Sequence, residues 1–138
     1  MDLTKSRQPP KGPVPRELDD LAAVVVDGAF AVHHHLGPGL ERRIYRRCLV
    51  HELGKRELVA EADVSLPLVY DGRTFDLDIV LDLVVDQRIL VEVVTVHRLA
   101  PLNASRMLTH LKVAGLRLGL VLNFNVAKMS QGVRRVVR

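Results

Sequence analysis

The sequence predicts an α/β fold in which helices pack on a small mixed β-sheet, in the order helix, helix, three strands, helix, strand. Apolar residues recur at three- and four-residue steps over residues 17–53, a period typical of helices. Alternating apolar residues then predict strands up to residue 94. A further helical segment, 103–114, precedes a buried apolar run, 119–124. Since a strand after a crossover helix most naturally pairs parallel with an earlier strand, we expect the sheet to be mixed.

The chain length of 138 residues suits one domain. Residues 1–16 hold four prolines and four basic residues without an apolar period, which predicts a flexible basic arm. The arm either touches nucleic acid or a partner, or is only a disordered leader. Residues 17–138 are expected to form the single folded domain.

Charge and cysteine content limit the class of protein. The net charge of +4 permits attraction to DNA or RNA, while only 4% aromatic residues argue against stacking platforms for single strands. One cysteine, Cys48, excludes an internal disulfide and agrees with a reducing compartment, so we expect a cytoplasmic protein. The apolar stretches are shorter than a membrane span, so no membrane contact is expected.

The first helix is predicted over residues 17–36 and should end at the GPG of 37–39. The second helix is predicted over 40–53, with a continuous apolar arc on one side. This arc contains Ile44, Tyr45, Cys48, Leu49 and Leu53.

Four arginines near the start of the second helix are candidate functional residues. Arg42 falls at the edge of the apolar arc and should point partly inward. The other three, Arg43, Arg46 and Arg47, are predicted on the opposite side. They form either a phosphate-binding surface or a solvated helix face, and the sequence leaves both interpretations open.

Three strands are predicted between residues 62 and 94. The dipeptide Asp71-Gly72 indicates a hairpin between the first two. The returning strand has one face with Phe75, Leu77, Ile79 and Leu81, and another with Asp76, Asp78 and Asp82. The third strand, ILVEVV at 89–94, is mostly apolar and therefore central, with Glu92 inside it. The tail, 132–138, is expected to be a short strand or turn.

Several segments resemble the PD-(D/E)XK nuclease superfamily and, more narrowly, the bacterial GxxExxY proteins. They include VHHHLGPGL at 32–40, VYDG at 69–72, ILVEV at 89–93 and LNFN at 122–125. The resemblance implies two acids on neighbouring strands that hold Mg²⁺ or Mn²⁺. It also implies a lysine, two residues after the second acid, that helps to activate the attacking water.

Asp82 and Glu92 match the acid pair of this family, and would be the catalytic residues and metal ligands if the site still works. The lysine position holds Val94, which has neither charge nor a hydrogen-bond donor in its side chain. Three further positions of the family's site, implied to be a glutamate, a histidine and a glutamine, are replaced here by Arg42, Asn103 and Arg106.

The preferred interpretation is structural: Arg42 and Arg106 compensate the acids, since two guanidiniums carry the charge of one Mg²⁺ and bind carboxylates through paired donors. The sequence then predicts a catalytically inactive, degenerate nuclease-like protein that acts by binding nucleic acid through arginine faces, a partner, or itself. One alternative is an active nuclease that uses Mg²⁺ or Mn²⁺. Another is a structural homo-oligomer. No cofactor is expected unless the protein is active.

Overall fold

The computed structural model describes residues 12–138. Its helices and strands are α1 Arg16–Leu36, α2 Arg42–Lys55, β1 Ala60–Tyr70, β2 Arg73–Val85, β3 Ile89–Val94, α3 Pro101–Ala114, β4 Leu118–Asn123 and β5 Val133–Val137. A single 3-10 turn, Met129–Gln131, precedes β5. The predicted α/β class and element order are confirmed, and the tail forms a strand. Within the described residues, no helix is both long and apolar enough to cross a membrane.

Part of the predicted arm, residues 1–11, lies outside the described residues. The segment that follows is attached to the domain, because Arg117 donates hydrogen bonds to the carbonyls of Gly12 and Pro13 at 2.8 and 3.0 Å. Val14 packs against the core, and α1 then begins at Arg16.

The sheet has the strand order β1-β2-β3-β4-β5. β3 and β4 pair parallel, as expected for strands joined by the crossover helix α3, and the other neighbours pair antiparallel. All six residues of β4 and most of β3 are buried. This agrees with their nearly continuous apolar sequences, which are typical of strands covered on both faces.

Two hydrophobic clusters lie on opposite faces of the sheet. α1 and α2 pack on one face, where β3 contributes Val91 and Val93. α3 packs on the other, where β3 contributes Leu90 and Val94. Glu92 lies between these two along the strand, so the acid projects from the face that α3 covers.

The turn between α1 and α2 is tied to the core by Tyr45. Its ring stacks on Phe124 with centroids 4.8 Å apart. Its hydroxyl donates to the carbonyl of Gly37 at 2.6 Å and accepts from the backbone N–H of Leu40 at 3.0 Å. These contacts set where α2 begins, two residues later than the sequence predicted.

The outer half of the β1–β2 hairpin stands clear of both clusters. Residues 67–78 include no buried residue and take no part in either cluster. Asp71 and Gly72 at its tip have φ values of 54° and 70°. Two consecutive residues with positive φ are what a type I′ hairpin turn requires, so the predicted Asp-Gly turn is confirmed.

We predict that Gly132→Ala destabilises the fold by about 1–3 kcal/mol. A Cβ at Gly132 would lie 2.0 Å from the carbonyl oxygen of Asn123, in a place where the Asn123 N–H donates to the Gly132 carbonyl at 2.8 Å. Urea denaturation measures the loss. The control is Gly54→Ala in α2, where a Cβ meets nothing within 4 Å, and the higher helix propensity of alanine should add about 0.5–1 kcal/mol. Equal stability of Gly132→Ala and the wild type would contradict the close approach.

Candidate functional site

The two acids lie where β2 separates from β3. The ladder between these strands ends at the pair Leu83–Val91, and Asp82 and Glu92 are the next residues outward. In place of a further backbone bond, the Asp82 carboxylate accepts a hydrogen bond from the Val93 N–H at 2.7 Å. The Asp82 side chain therefore substitutes for a strand neighbour at this point.

The ladder between β1 and β2 is interrupted at the same level. Ala62 pairs with Leu83 and Val64 pairs with Leu81, but Asp63, which lies opposite Asp82, forms no pair. Asp63 has a φ of 53°, a conformation that aspartate adopts more readily than most residues. Two carboxylates thus meet at one interruption of the sheet.

Arg42 joins Asp82 to the backbone of β3. Its NH2 lies 2.5 Å from Asp82 Oδ1, and its Nε donates to the Val93 carbonyl at 2.7 Å. The contact to Oδ1 is an ion pair rather than a hydrogen bond, because this buried oxygen has no hydrogen-bond partner among the described residues. One guanidinium thus contacts both a carboxylate oxygen and a main-chain oxygen. Arg42 is the first residue of α2 and points inward.

The prediction that Arg46 lies on the solvated side of α2 is wrong. Its side chain is only 16% exposed, with NH2 2.7 Å from Asp63 Oδ2 and Nε 3.4 Å from Asp82 Oδ1. It follows Arg42 by four positions, so both lie on one helix face. The hydrogen bond to Asp63, together with the charge of Asp82, raises the pKa of Arg46. The same hydrogen bond lowers the pKa of Asp63.

The second acid is bound from α3. Arg106 NH2 donates to Glu92 Oε1, while Glu92 Oε2 is buried and has no hydrogen-bond partner among the described residues. His110 follows Arg106 by one helical turn and lines the same cleft. Burial lowers the pKa of His110. The positive charge of Arg106 lowers this pKa further, whereas the negative charge of Glu92 acts in the opposite direction. The sequence analysis missed His110, although its four-residue spacing from Arg106 places both on one face.

These side chains line a cleft of about 280 Å³. Three arginines and three acids of the cleft have been described above. Its apolar walls include Val80, Leu90 and Met107.

The remaining predicted site residues lie outside this cleft. Val94 shares the strand face of Glu92 but is buried in the cluster under α3. Asn103 accepts a hydrogen bond from the Ala100 N–H at 2.8 Å and so stabilises the start of α3. Arg43 is exposed and pairs with Glu41 at 2.8 Å, and Arg47 is also exposed.

One comparison with known proteins identifies the family. The family model described as the PD-(D/E)XK nuclease superfamily matches residues 19–136. The chain belongs to this superfamily. No curated protein and no solved structure matches it. The narrower resemblance to the GxxExxY proteins stays a prediction.

Membership of the superfamily implies Mg²⁺ or Mn²⁺, but the residues present do not fit such an ion as they are arranged. A hard divalent cation binds about six oxygens. Here Arg42 already contacts Asp82 Oδ1 and the Val93 carbonyl. Glu92 Oε2 remains as a buried acceptor with no hydrogen-bond partner in residues 12–138. No group of three or more His, Cys, Asp or Glu side chains in residues 12–138 could hold a metal. The guanidiniums of Arg42, Arg46 and Arg106 would also repel a cation.

We predict that Arg42→Ala lowers the free energy of unfolding by about 1–3 kcal/mol. The buried Asp82 would keep only Arg46 at 3.4 Å and the Val93 N–H as partners, and the Val93 carbonyl would lose its donor. Because Arg42 is half-exposed, water replaces part of the lost interaction. Denaturant melts measure the effect. Arg43→Ala, at the exposed neighbour, should change stability by less than about 0.5 kcal/mol, and equal effects would contradict the bridging role of Arg42.

We also predict that His110 makes the fold less stable as the pH falls. Its pKa is lowered in the folded state, so below about pH 6.5 the unfolded chain binds a proton more readily than the folded one. The free energy of unfolding should then fall more steeply between about pH 7.5 and pH 5.5 in the wild type than in His110→Gln. Denaturant melts across this range provide the comparison, and parallel curves would show that His110 does not contribute.

Proposed function

We propose that this chain is a nuclease-fold domain that binds nucleic acid without hydrolysing it. The observation that carries the proposal is the position of the Arg42 guanidinium. It contacts Asp82 Oδ1 at 2.5 Å and the Val93 carbonyl at 2.7 Å. Carboxylate and main-chain oxygens are the ligand types of Mg²⁺, so the fixed charge of the side chain takes the role that an ion would have here.

The valine at position 94, where the superfamily is expected to have a lysine, supports the lack of hydrolysis. Phosphodiester hydrolysis needs an activated water and positive charge where negative charge develops. At the position where the superfamily is expected to supply an ammonium group, Val94 is buried in the apolar cluster under α3. Arg46 and Arg106 are bound to acids, so their charges balance the carboxylates of the cleft.

The exposed parts of the arginines support binding. Arg42 and Arg106 are each about half-exposed at the cleft, and both retain guanidinium N–H groups that could donate to phosphate. Arg43 and Arg47 extend this basic surface along α2. Contacts of this kind bind the phosphate backbone without reading its sequence.

A second candidate function, a nuclease dependent on Mg²⁺ or Mn²⁺, is favoured by one observation. Glu92 Oε2 is buried without a hydrogen-bond partner among the described residues, and a cation would satisfy it. The two functions differ in a measurable way, since only the second requires metal and consumes its substrate.

We expect labelled DNA or RNA to bind with an affinity that falls steeply with salt, because binding releases counterions from phosphates. In fluorescence anisotropy, the double variant Arg43→Gln/Arg47→Gln should reduce the slope of log K against log[salt] by about two. The control is Arg88→Gln, one residue before β3 and at the opposite end of this strand from the acids, which should leave the slope unchanged.

The same samples should show no cleavage with Mg²⁺ or Mn²⁺. Cleavage that stops with EDTA and is lost in Glu92→Ala would overturn the proposal in favour of the nuclease. Absence of any salt-dependent binding would overturn it as well.

A further inference from the structure

Acidic and basic residues are separated along the chain. All sixteen Asp and Glu residues lie in residues 2–92, whereas residues 93–138 hold eight of the twenty Lys and Arg residues and no acid. We call residues 93–138 the acid-free segment. It contains the end of β3 and all of α3, β4 and β5. A charge asymmetry of this size within one domain indicates a surface that attracts a polyanion.

Part of this positive charge is used inside the protein. Arg106 donates a hydrogen bond to Glu92, and Arg135 forms an ion pair with Asp19 of α1. Arg117 donates to two backbone carbonyls at the start of the described chain.

Four other basic residues of the acid-free segment are exposed to solvent. Their side chains form no hydrogen bond or ion pair with any residue in 12–138. They are Arg98, Lys112, Lys128 and Arg134. Side chains of this kind keep all their donors available for an anion that arrives from outside.

Three of these four residues lie around α3, which packs against β4 and β5. Arg134 precedes Val136 by two residues in β5, and Val136 packs in the cluster under α3. Arg134 therefore projects from the sheet face that α3 covers. Lys112 is in the last turn of α3, and Arg98 is in the loop that leads into this helix. We define the α3 basic surface as Arg98, Arg106, Lys112 and Arg134.

The long helix on the other face of the sheet has the opposite charge. α1 holds four acids and one arginine, whereas α3 holds one arginine, one lysine and no acid. Phosphates are therefore repelled from α1 and attracted to α3.

The cleft joins the α3 basic surface to the arginines of α2. Arg42 and Arg46 of α2 line it from one side, and Arg106 of α3 lines it from the other. Arg42 and Arg106 are each about half-exposed there. One nucleic-acid molecule could thus contact α2, the mouth of the cleft and α3 along a continuous basic surface.

We propose that the bound nucleic acid extends from α2 across the cleft onto the α3 basic surface, where Lys112 and Arg134 contact its phosphates. This inference rests on the proposed function and adds to it a second group of phosphate contacts, on the other side of the sheet. Each phosphate contact releases counterions and contributes about 0.9 to the slope of log K against log[salt] on a duplex. Such contacts add affinity without reading the sequence.

Fluorescence anisotropy with labelled duplex DNA and, separately, labelled duplex RNA tests the second group of contacts. Lys112→Gln/Arg134→Gln should reduce the salt slope by about two relative to the wild type. The matched control is Arg73→Gln/Arg88→Gln, which removes the same charge from two exposed arginines outside the acid-free segment. The control should leave the slope unchanged.

A conservative pair of substitutions separates charge from folding. Lys112→Arg/Arg134→Lys keeps both positive charges and should keep the wild-type slope. Unchanged circular dichroism spectra would establish that all variants are folded. When Lys112→Gln/Arg134→Gln is combined with Arg43→Gln/Arg47→Gln, the slope should fall by about four, because both groups contact the same molecule. The wild type should bind one nucleic-acid molecule per chain.

The outcomes distinguish this inference from the proposed function. Salt-dependent binding with the same slope in Lys112→Gln/Arg134→Gln and the wild type would overturn the inference and leave the proposed function intact. An equal loss in Arg73→Gln/Arg88→Gln would reveal only an effect of net charge, and two molecules bound per chain would reveal separate surfaces. Either result would also overturn the inference. Absence of any salt-dependent binding would instead overturn the proposed function, and the inference with it.

Discussion

The structure of the site depends on the contacts that Arg42 makes with Asp82 and with the Val93 carbonyl, where β2 separates from β3. β2 leaves β3 after Leu83, and the Val93 N–H and C=O then need new partners, since buried backbone groups rarely remain unpaired. Asp82 accepts from the N–H and Arg42 donates to the carbonyl. Side chains therefore complete the ladder where the strands separate. The same contacts hold the start of α2 against the sheet and bring Arg46 within reach of Asp63.

Arg42 has an unusual place for a cation. It is the first residue of α2, where the helix dipole favours negative charge, and the first turn of α2 contains no acid. The nearby Asp82 offsets this unfavourable interaction. A carboxylate at position 42 would suit the helix, but would face Asp82 and need a cation between them. Under the proposed function, one arginine both replaces the glutamate implied by the superfamily and removes the need for that cation.

The sequence predicted the elements well because their signals are local: helical periods, the Asp71-Gly72 turn and the long apolar strands. It also placed Arg42 at the edge of the buried face of α2. The prediction for Arg46 was wrong because the solvated side of α2 was inferred from the positions of its apolar residues alone. The four-residue spacing from Arg42, which places both arginines on one face, was not used. The positive φ of Asp63 has no signature in a strand-like sequence. Likewise, the alternation around Leu77 predicts an apolar strand face but not whether that face is buried. Its burial depends on which part of the hairpin α3 packs against.

The hydrophobic core joins segments that are far apart in the sequence. α1 packs in one cluster with residues of β4 and with Met129, and His33 Nε2 lies 2.7 Å from the Val126 carbonyl oxygen. During synthesis on the ribosome, α1 and α2 therefore emerge long before β4 and Met129, which cover the rest of the apolar stripe of α1. Contacts of such high sequence separation fold slowly and leave hydrophobic surface open in the meantime. The part of the core that α1 shares with β4 and Met129 therefore cannot be completed until translation reaches these last segments.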